Sequence, residues 1–321
     1  MTAQKAEPIR RSRLVAMLVP LSALWLVGVL WAAYWTVTGN PGSDAVATAQ
    51  AAIALPTVVA ASMLAGTVAG MSALGRLAGR LATVESRSVE SRSVETRSVE
   101  TRSARLRAGA TRVAVGSAAG TPIGLACAAA ALGAYGTEPV VVSAATAIGL
   151  GAVCGGALAA IRPEPAVPAG LYGSLAVLVI GFLRGAFAGE LISAIDSSHT
   201  IDSSLAANSR IEFAVSLVSG AAAGLVAYRY LRRGSTAPRW PAYLVAGGLP
   251  GLLLLMTEVL VRSAGHRLFS ASAGTSTIDA AALAYITNGR VNHALVVFFV
   301  GALLAIIAFG RSLDRPAPAG R

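Results

Sequence analysis

Residues 14–37, LVAMLVPLSALWLVGVLWAAYWTV, carry no charge and follow a basic start with Lys5, Arg10, Arg11 and Arg13. A basic segment before an apolar run is the layout of a cleavable signal peptide. The apolar core of such a peptide is only about 7–15 residues long and closes on an A-x-A-like site. This run is longer and has no such closing site, so it reads as a retained span. That decision sets the parity of everything downstream.

Seven more runs reach the roughly 20 apolar residues that a helix needs to cross the hydrocarbon core. They lie at about 46–71, 113–135, 139–161, 168–191, 212–231, 241–262 and 292–311. The composition agrees. Apolar residues make up 55% of the chain and charged residues 13%, against about 25% in soluble domains. The expected fold is an all-α polytopic bundle of eight transmembrane helices. Its segments are a basic N-terminus (1–13), hairpin 1 (14–71), a low-complexity loop (72–112), hairpin 2 (113–161), hairpin 3 (168–231, outer segment 192–211), hairpin 4 (241–311, outer segment 263–291) and a tail (312–321).

An even number of spans places both ends on one side, and the cations say which. Four precede the first run, nine arginines fall between 76 and 112, and Arg162 follows hairpin 2. Arg229, Arg232, Arg233 and Arg239 follow hairpin 3, and Arg311, Arg315 and Arg321 close the chain. The opposite side holds only Arg210, Arg262, Arg267 and Arg290, and Arg184 lies within a span. By the positive-inside rule both termini are cytoplasmic in a plasma-membrane protein. Trp31, Tyr34, Trp35, Tyr228, Tyr230 and Trp240 sit at span ends as an interfacial belt. The net charge of +11 is therefore topological, and no nucleic-acid partner is expected; the implied partner is the lipid bilayer. Arginine almost to the exclusion of lysine reads as high-GC coding.

The tract VESRSVESRSVETRSVETRS, 84–103, lies in the loop between spans two and three. Each pentad pairs one Glu with one Arg, so it is electrically neutral. A five-residue period turns Val89, Val94 and Val99 around the helix axis, which leaves no apolar stripe. It reads as a solvated, partly helical or disordered segment, with a partner-binding or phosphorylated Ser-Arg-Ser segment as the alternative.

Small residues four apart mark close helix approach in lipid. Span three offers Gly116, Gly120 and Gly124, and span five Gly181, Gly185 and Gly189, both read as packing stripes. Single pairs at Gly66/Gly70, Gly151/Gly155, Gly220/Gly224 and Gly247/Gly251 are no more than this glycine content yields by chance. Pro20, Pro56, Pro122 and Pro250 lie inside spans, as kinks or as the broken helices that line transport sites. Hairpins 3 and 4 look alike: NSRIEF from 208 resembles NGRVNH from 288. Any such duplication is parallel, because all hairpins share one orientation.

Ionisable groups inside spans are functional candidates. Arg184 and Glu258 lie at similar depth and form a candidate ion pair, with snorkelling of Arg184 and a local Glu258–Arg262 contact as alternatives. Asp196, His199 and Asp202 form a candidate polar cluster on the outer face, read as a solvated loop with metal or proton sensing as the alternative, and no closed metal-ligand spacing. Segment 275–287 reads as a short capped helix able to lie over the outer surface as a lid. Cys127 and Cys154 sit in apolar runs at depths that disfavour a bridge. No H-E-x-x-H, G-x-S-x-G or Walker signature occurs, so no enzyme, cofactor or metal is expected.

The Ala/Gly/Val/Leu/Arg texture and eight-span layout resemble the many uncharacterised multi-pass integral membrane proteins of high-GC Gram-positive bacteria. The resemblance carries no motif and implies no residue roles. The expected function is movement of a small solute or ion, or else a non-transporting membrane subunit that scaffolds or anchors partners.

Overall fold

The computed structural model describes residues 7–38, 44–88, 100–162, 165–195, 201–233, 238–273 and 277–313. These residues form ten helices and no strand. They are α1 (Glu7–Thr38), α2 (Asp44–Ser88), α3 (Glu100–Tyr135), α4 (Pro139–Leu158), α5 (Ala166–Ala186), α6 (Ala188–Ile195), α7 (Ile201–Arg232), α8 (Trp240–Ala264), α9 (His266–Ala273) and α10 (Thr277–Leu313). Eight of them, all but α6 and α9, are long and apolar enough to cross a membrane. The protein is an all-α, multi-pass membrane helix bundle.

Each expected run has its helix, but several ends differ. The sixth and eighth spans begin at Ala206 and Thr287, five or six residues earlier than the charges suggested. The segment 275–287 is no separate lid: from Thr277 on it is the first part of α10, whose single helix runs to Leu313. Of the pentad tract, 84–88 continue α2 and 100–103 begin α3, while 89–99 lie outside the described residues.

The chain divides into two compact units. The first holds most of α1, all of α2, α3, α4 and α9, and the last turn of α8. Here α2 is the most buried span, and glycine is the reason its neighbours come close. A Cβ added at Gly66, Gly116, Gly120 or Gly155 would overlap backbone atoms of the facing helix. At Gly124 it would lie 2.5 Å from the Gly149 carbonyl oxygen. Only glycine lets these backbones meet, and the contact is repaid in dispersion and interhelical polar contacts. The buried hydroxyl of Ser62 shares its one proton between the carbonyls of Val59 (2.8 Å) and, across to α4, Ile148 (3.0 Å). Ser143 ties α4 to the end of α8 through the Ala264 carbonyl at 2.7 Å.

The second unit holds the start of α1 as far as Val15, α5, α6, α7, α8 as far as Glu258, and α10. Its four long helices form a closed ring. Gly173 of α5 faces Ala223 of α7, Gly220 of α7 faces Val297 and Val300 of α10, Gly251 of α8 faces Phe298 of α10, and Gly170 of α5 faces Leu249 of α8. The single glycine pairs are thus true contacts. The triplet Gly181, Gly185 and Gly189 is not one: a Cβ at any of the three would meet open space. The stripe also breaks, because α5 ends at Ala186 and Gly189 belongs to α6.

The suspected duplication has a counterpart in the helices. Hairpin 3 is a long helix, an eight-residue helix and a 32-residue helix; hairpin 4 repeats this with an eight-residue helix and a 37-residue helix. At the end where α5 and α8 begin, an aromatic group closes the ring. Tyr243 is fully buried and stacks on Phe309 at 4.5 Å, with Tyr228 and the Tyr172–Tyr230 pair beside it. Above it Val177, Ala223 and Val297 form an apolar layer.

Candidate functional site: a polar layer across four spans

At the opposite end of the same ring, α5, α7, α8 and α10 each contribute a charge from within the span. Arg184 of α5 meets Glu212 of α7, Nη2 to Oε1, at 3.0 Å, and donates to the Asn208 Oδ1 at 3.2 Å. Glu258 of α8 is 5% exposed and faces Arg290 of α10 with 4.0 Å between Oε1 and Nη1. The expected Arg184–Glu258 pair is therefore corrected. Each charge takes its partner from the second helix of its own hairpin, at its own level, rather than from the other hairpin.

Between the two pairs lies a histidine. His293 of α10 is half-buried, and its Nδ1 is 2.7 Å from the Ser216 hydroxyl of α7. Ser216 is one turn past Glu212 and also reaches the Glu212 carbonyl oxygen at 2.6 Å. Gly289, one residue before Arg290, packs beside the Glu212 carboxylate: a Cβ there would lie 3.1 Å from Oε2. The layer is thus continuous from α5 to α8 through α7 and α10.

Its charge order follows from the ring. Arg184 on α5, Glu212 on α7, Arg290 on α10 and Glu258 on α8 alternate in sign around the four helices. In hairpin 3 the cation is on the first helix; in hairpin 4 it is on the second. With the same order in both, like charges would stand on adjacent helices twice.

One stripe leads inward from the layer. Glu212, Ser216, Ser219 and Ala223 are spaced four, three and four apart, which places them on one helix face. Ser219 is fully buried, and its hydroxyl has no hydrogen-bond partner among the described residues. Other buried hydroxyls return to their own helix: Thr67 to Met63, Ser174 to Gly170 and Thr257 to Leu253. Ser219 does not.

Sequence reasoning found Arg184 and Glu258 and missed Asn208, Glu212, Ser216, Ser219, Arg290 and His293. The expected runs 212–231 and 292–311 leave Arg290 outside and put Glu212 and His293 at their outer edges, where a polar side chain reads as facing water. The available signal was the helical spacing of Glu212, Ser216 and Ser219, a polar stripe that continues into the apolar run. Asp196 and His199 lie outside the described residues, and for Asp202 only its place in α7 is described. Cys127 and Cys154 are free. Among the described residues no group of His, Cys, Asp and Glu is arranged to hold a metal ion. No family model, curated protein or solved structure matches the chain.

Proposed function

We propose that this protein moves a small solute or ion across the cell membrane, with both termini cytoplasmic and the polar layer of the second unit as its binding site. The carrying observation is that four spans place alternating charges at one level. An ionisable side chain within a span is costly, and such groups concentrate on substrate and ion pathways. A purely structural bundle gains little from buried ion pairs, which apolar residues of similar volume replace at no loss. On the positive-inside reading the layer faces the outer side, and the aromatic group and Val177 layer lie between it and the cytoplasm.

The second reading is a non-transporting anchor, and the first unit favours it. Its closest helix contacts are glycine against backbone, the build of a rigid frame. The two readings part experimentally. Purified protein in detergent would be screened by thermal shift against a panel of inorganic ions and small polar metabolites, and the hits tested for flux in proteoliposomes. Transport predicts a ligand that raises Tm in the wild type and not in Glu258→Gln. Flux absent for every stabilising ligand would leave the anchor.

A further inference from the structure

We infer that the polar layer is a proton-binding site, with His293 Nε2 as the acceptor, and that the proton is the ion coupled to transport; the second half of this rests on the function proposed above. The argument begins with the Ser216 hydroxyl, which has one proton and two short contacts, the Glu212 carbonyl oxygen at 2.6 Å and His293 Nδ1 at 2.7 Å. The carbonyl can only accept. Both contacts are hydrogen bonds only when Ser216 donates to the carbonyl and Nδ1–H donates to Ser216. The neutral imidazole is thereby held as the Nδ1–H tautomer, and its remaining lone pair is on Nε2.

The layer that holds the imidazole carries no net charge, and Arg184 is the charge that acts on the ring most directly. Arg184 faces it from α5 and Glu212 from α7; Arg290 precedes it by one turn on α10 and is paired with Glu258 of α8. Two guanidinium and two carboxylate groups sum to zero. Imidazole is the one side chain here whose ordinary range of titration spans neutral pH. A proton from water adds to Nε2, turning the layer from neutral to singly positive, and leaves by the same lone pair; nothing is oxidised or reduced. A layer that gains one positive charge in a low-dielectric span favours an anion beside it, which ties proton and solute together.

Ser219 gives the proton a route inward. Its buried, unpartnered hydroxyl is one turn from Ser216 on the same face. Buried polar groups are paired with protein or with ordered water, so a water taken up at Ser219 would continue the chain of donors and acceptors toward the Val177 level.

The test has two independent readouts. First, histidine-selective 15N labelling of the full-length protein in detergent, with His293→Gln identifying the resonance, follows Nε2 against pH. A reversible Nε2 protonation, moved in Ser216→Ala because the tautomer is no longer held, is expected. An Nε2 that stays unprotonated from acid to alkaline pH overturns the site. Second, proteoliposomes with an internal pH dye and a potassium–valinomycin potential report proton movement. Wild type should acidify the lumen, His293→Gln should lose most of that flux, and Ser219→Ala should lower flux while keeping or raising Tm. Nε2 titration without any flux would overturn transport and leave the proton site. Solute flux without proton movement would overturn the coupling and leave transport.

Discussion

Replacing Gly120 by alanine, and separately Gly185, sets two residues alike in sequence against each other. Each is the middle glycine of a Gly-x-x-x-Gly-x-x-x-Gly triplet. At Gly120 an added methyl carbon would overlap the Ala152 carbonyl oxygen of α4 and lie 3.0 Å from its carbon and 3.3 Å from Val153 Cα. Carbon atoms rest at about 3.5–4.0 Å, so α3 and α4 must part locally, and backbone cannot turn aside as a side chain would. Overpacking of this kind costs about 1–3 kcal/mol, and the backbone contacts put it near the top of that range. The better helix propensity of alanine returns about 1 kcal/mol, for a net loss of about 2 kcal/mol. Gly185 meets nothing, so Gly185→Ala keeps the propensity gain, about 1 kcal/mol of added stability. Unfolding of the purified protein by SDS in mixed micelles, followed by far-UV circular dichroism, should therefore separate the two variants by about 3 kcal/mol. Because the obstacle is backbone, Ala152→Gly should not rescue Gly120→Ala. Midpoints that move together would refute the assignment of one triplet to packing and the other to open space.

The two ion pairs should respond unequally. Arg290→Met takes the guanidinium away from Glu258, 5% exposed, and should cost about 3–5 kcal/mol in the same titration. Glu212→Gln acts on a pair whose side chains are 34% and 35% exposed, and should cost at most about 1 kcal/mol. Equal losses would mean that burial does not set the strength of these pairs. For topology, a cysteine placed by Ser91→Cys in a chain with Cys127→Ser and Cys154→Ser should react with a membrane-impermeant maleimide only after the cells are opened. Labelling of intact cells would overturn the cytoplasmic placement of the pentad tract.

Helix number and order were legible because lipid leaves one choice: an apolar stretch of about 20 residues has to satisfy its backbone within itself, so it is a helix. What that reasoning hides is the charge near a span end. Glu212 reads from composition as the outermost residue of its span and Arg290 as a loop residue, but both lie on helices that begin many residues earlier. Their charges are tolerated there because the next helix supplies a counter-charge. That is tertiary information, and no window over one segment contains it. The glycine triplets show the same limit. The sequence states that a close approach is permitted along α3 and along α5, and only the arrangement of neighbours decides that α4 takes the first offer and no described residue takes the second. Ser219 was invisible for a related reason, since a serine in an apolar helix normally bonds its own backbone.

The alternating ring makes a stronger claim than two separate ion pairs, and the claim can be isolated. Exchanging one pair, Glu258→Arg with Arg290→Glu, preserves a cation opposite an anion between α8 and α10. It also sets like charges side by side twice, on α5 and α8 and on α7 and α10. At a helix separation of about 9 Å and an effective dielectric of about 20, each neighbouring pair of charges is worth about 2 kcal/mol, and both reverse sign. Solvent around Arg184 and Glu212, 34% and 35% exposed, lowers that figure without changing its direction. Adding Arg184→Glu with Glu212→Arg restores alternation with every sign inverted. The double variant should therefore be less stable than both the wild type and the quadruple variant, although it carries as many opposed pairs as either. Thermal unfolding in one detergent at low salt measures all three, and raising the salt should narrow the gap only in part, since Glu258 is buried. If the double variant matches wild type, the pairs are independent and the ring is an accident of two hairpins. If the quadruple variant alone recovers, the opposite charge order of the two hairpins is what lets four charges share one level of the bundle.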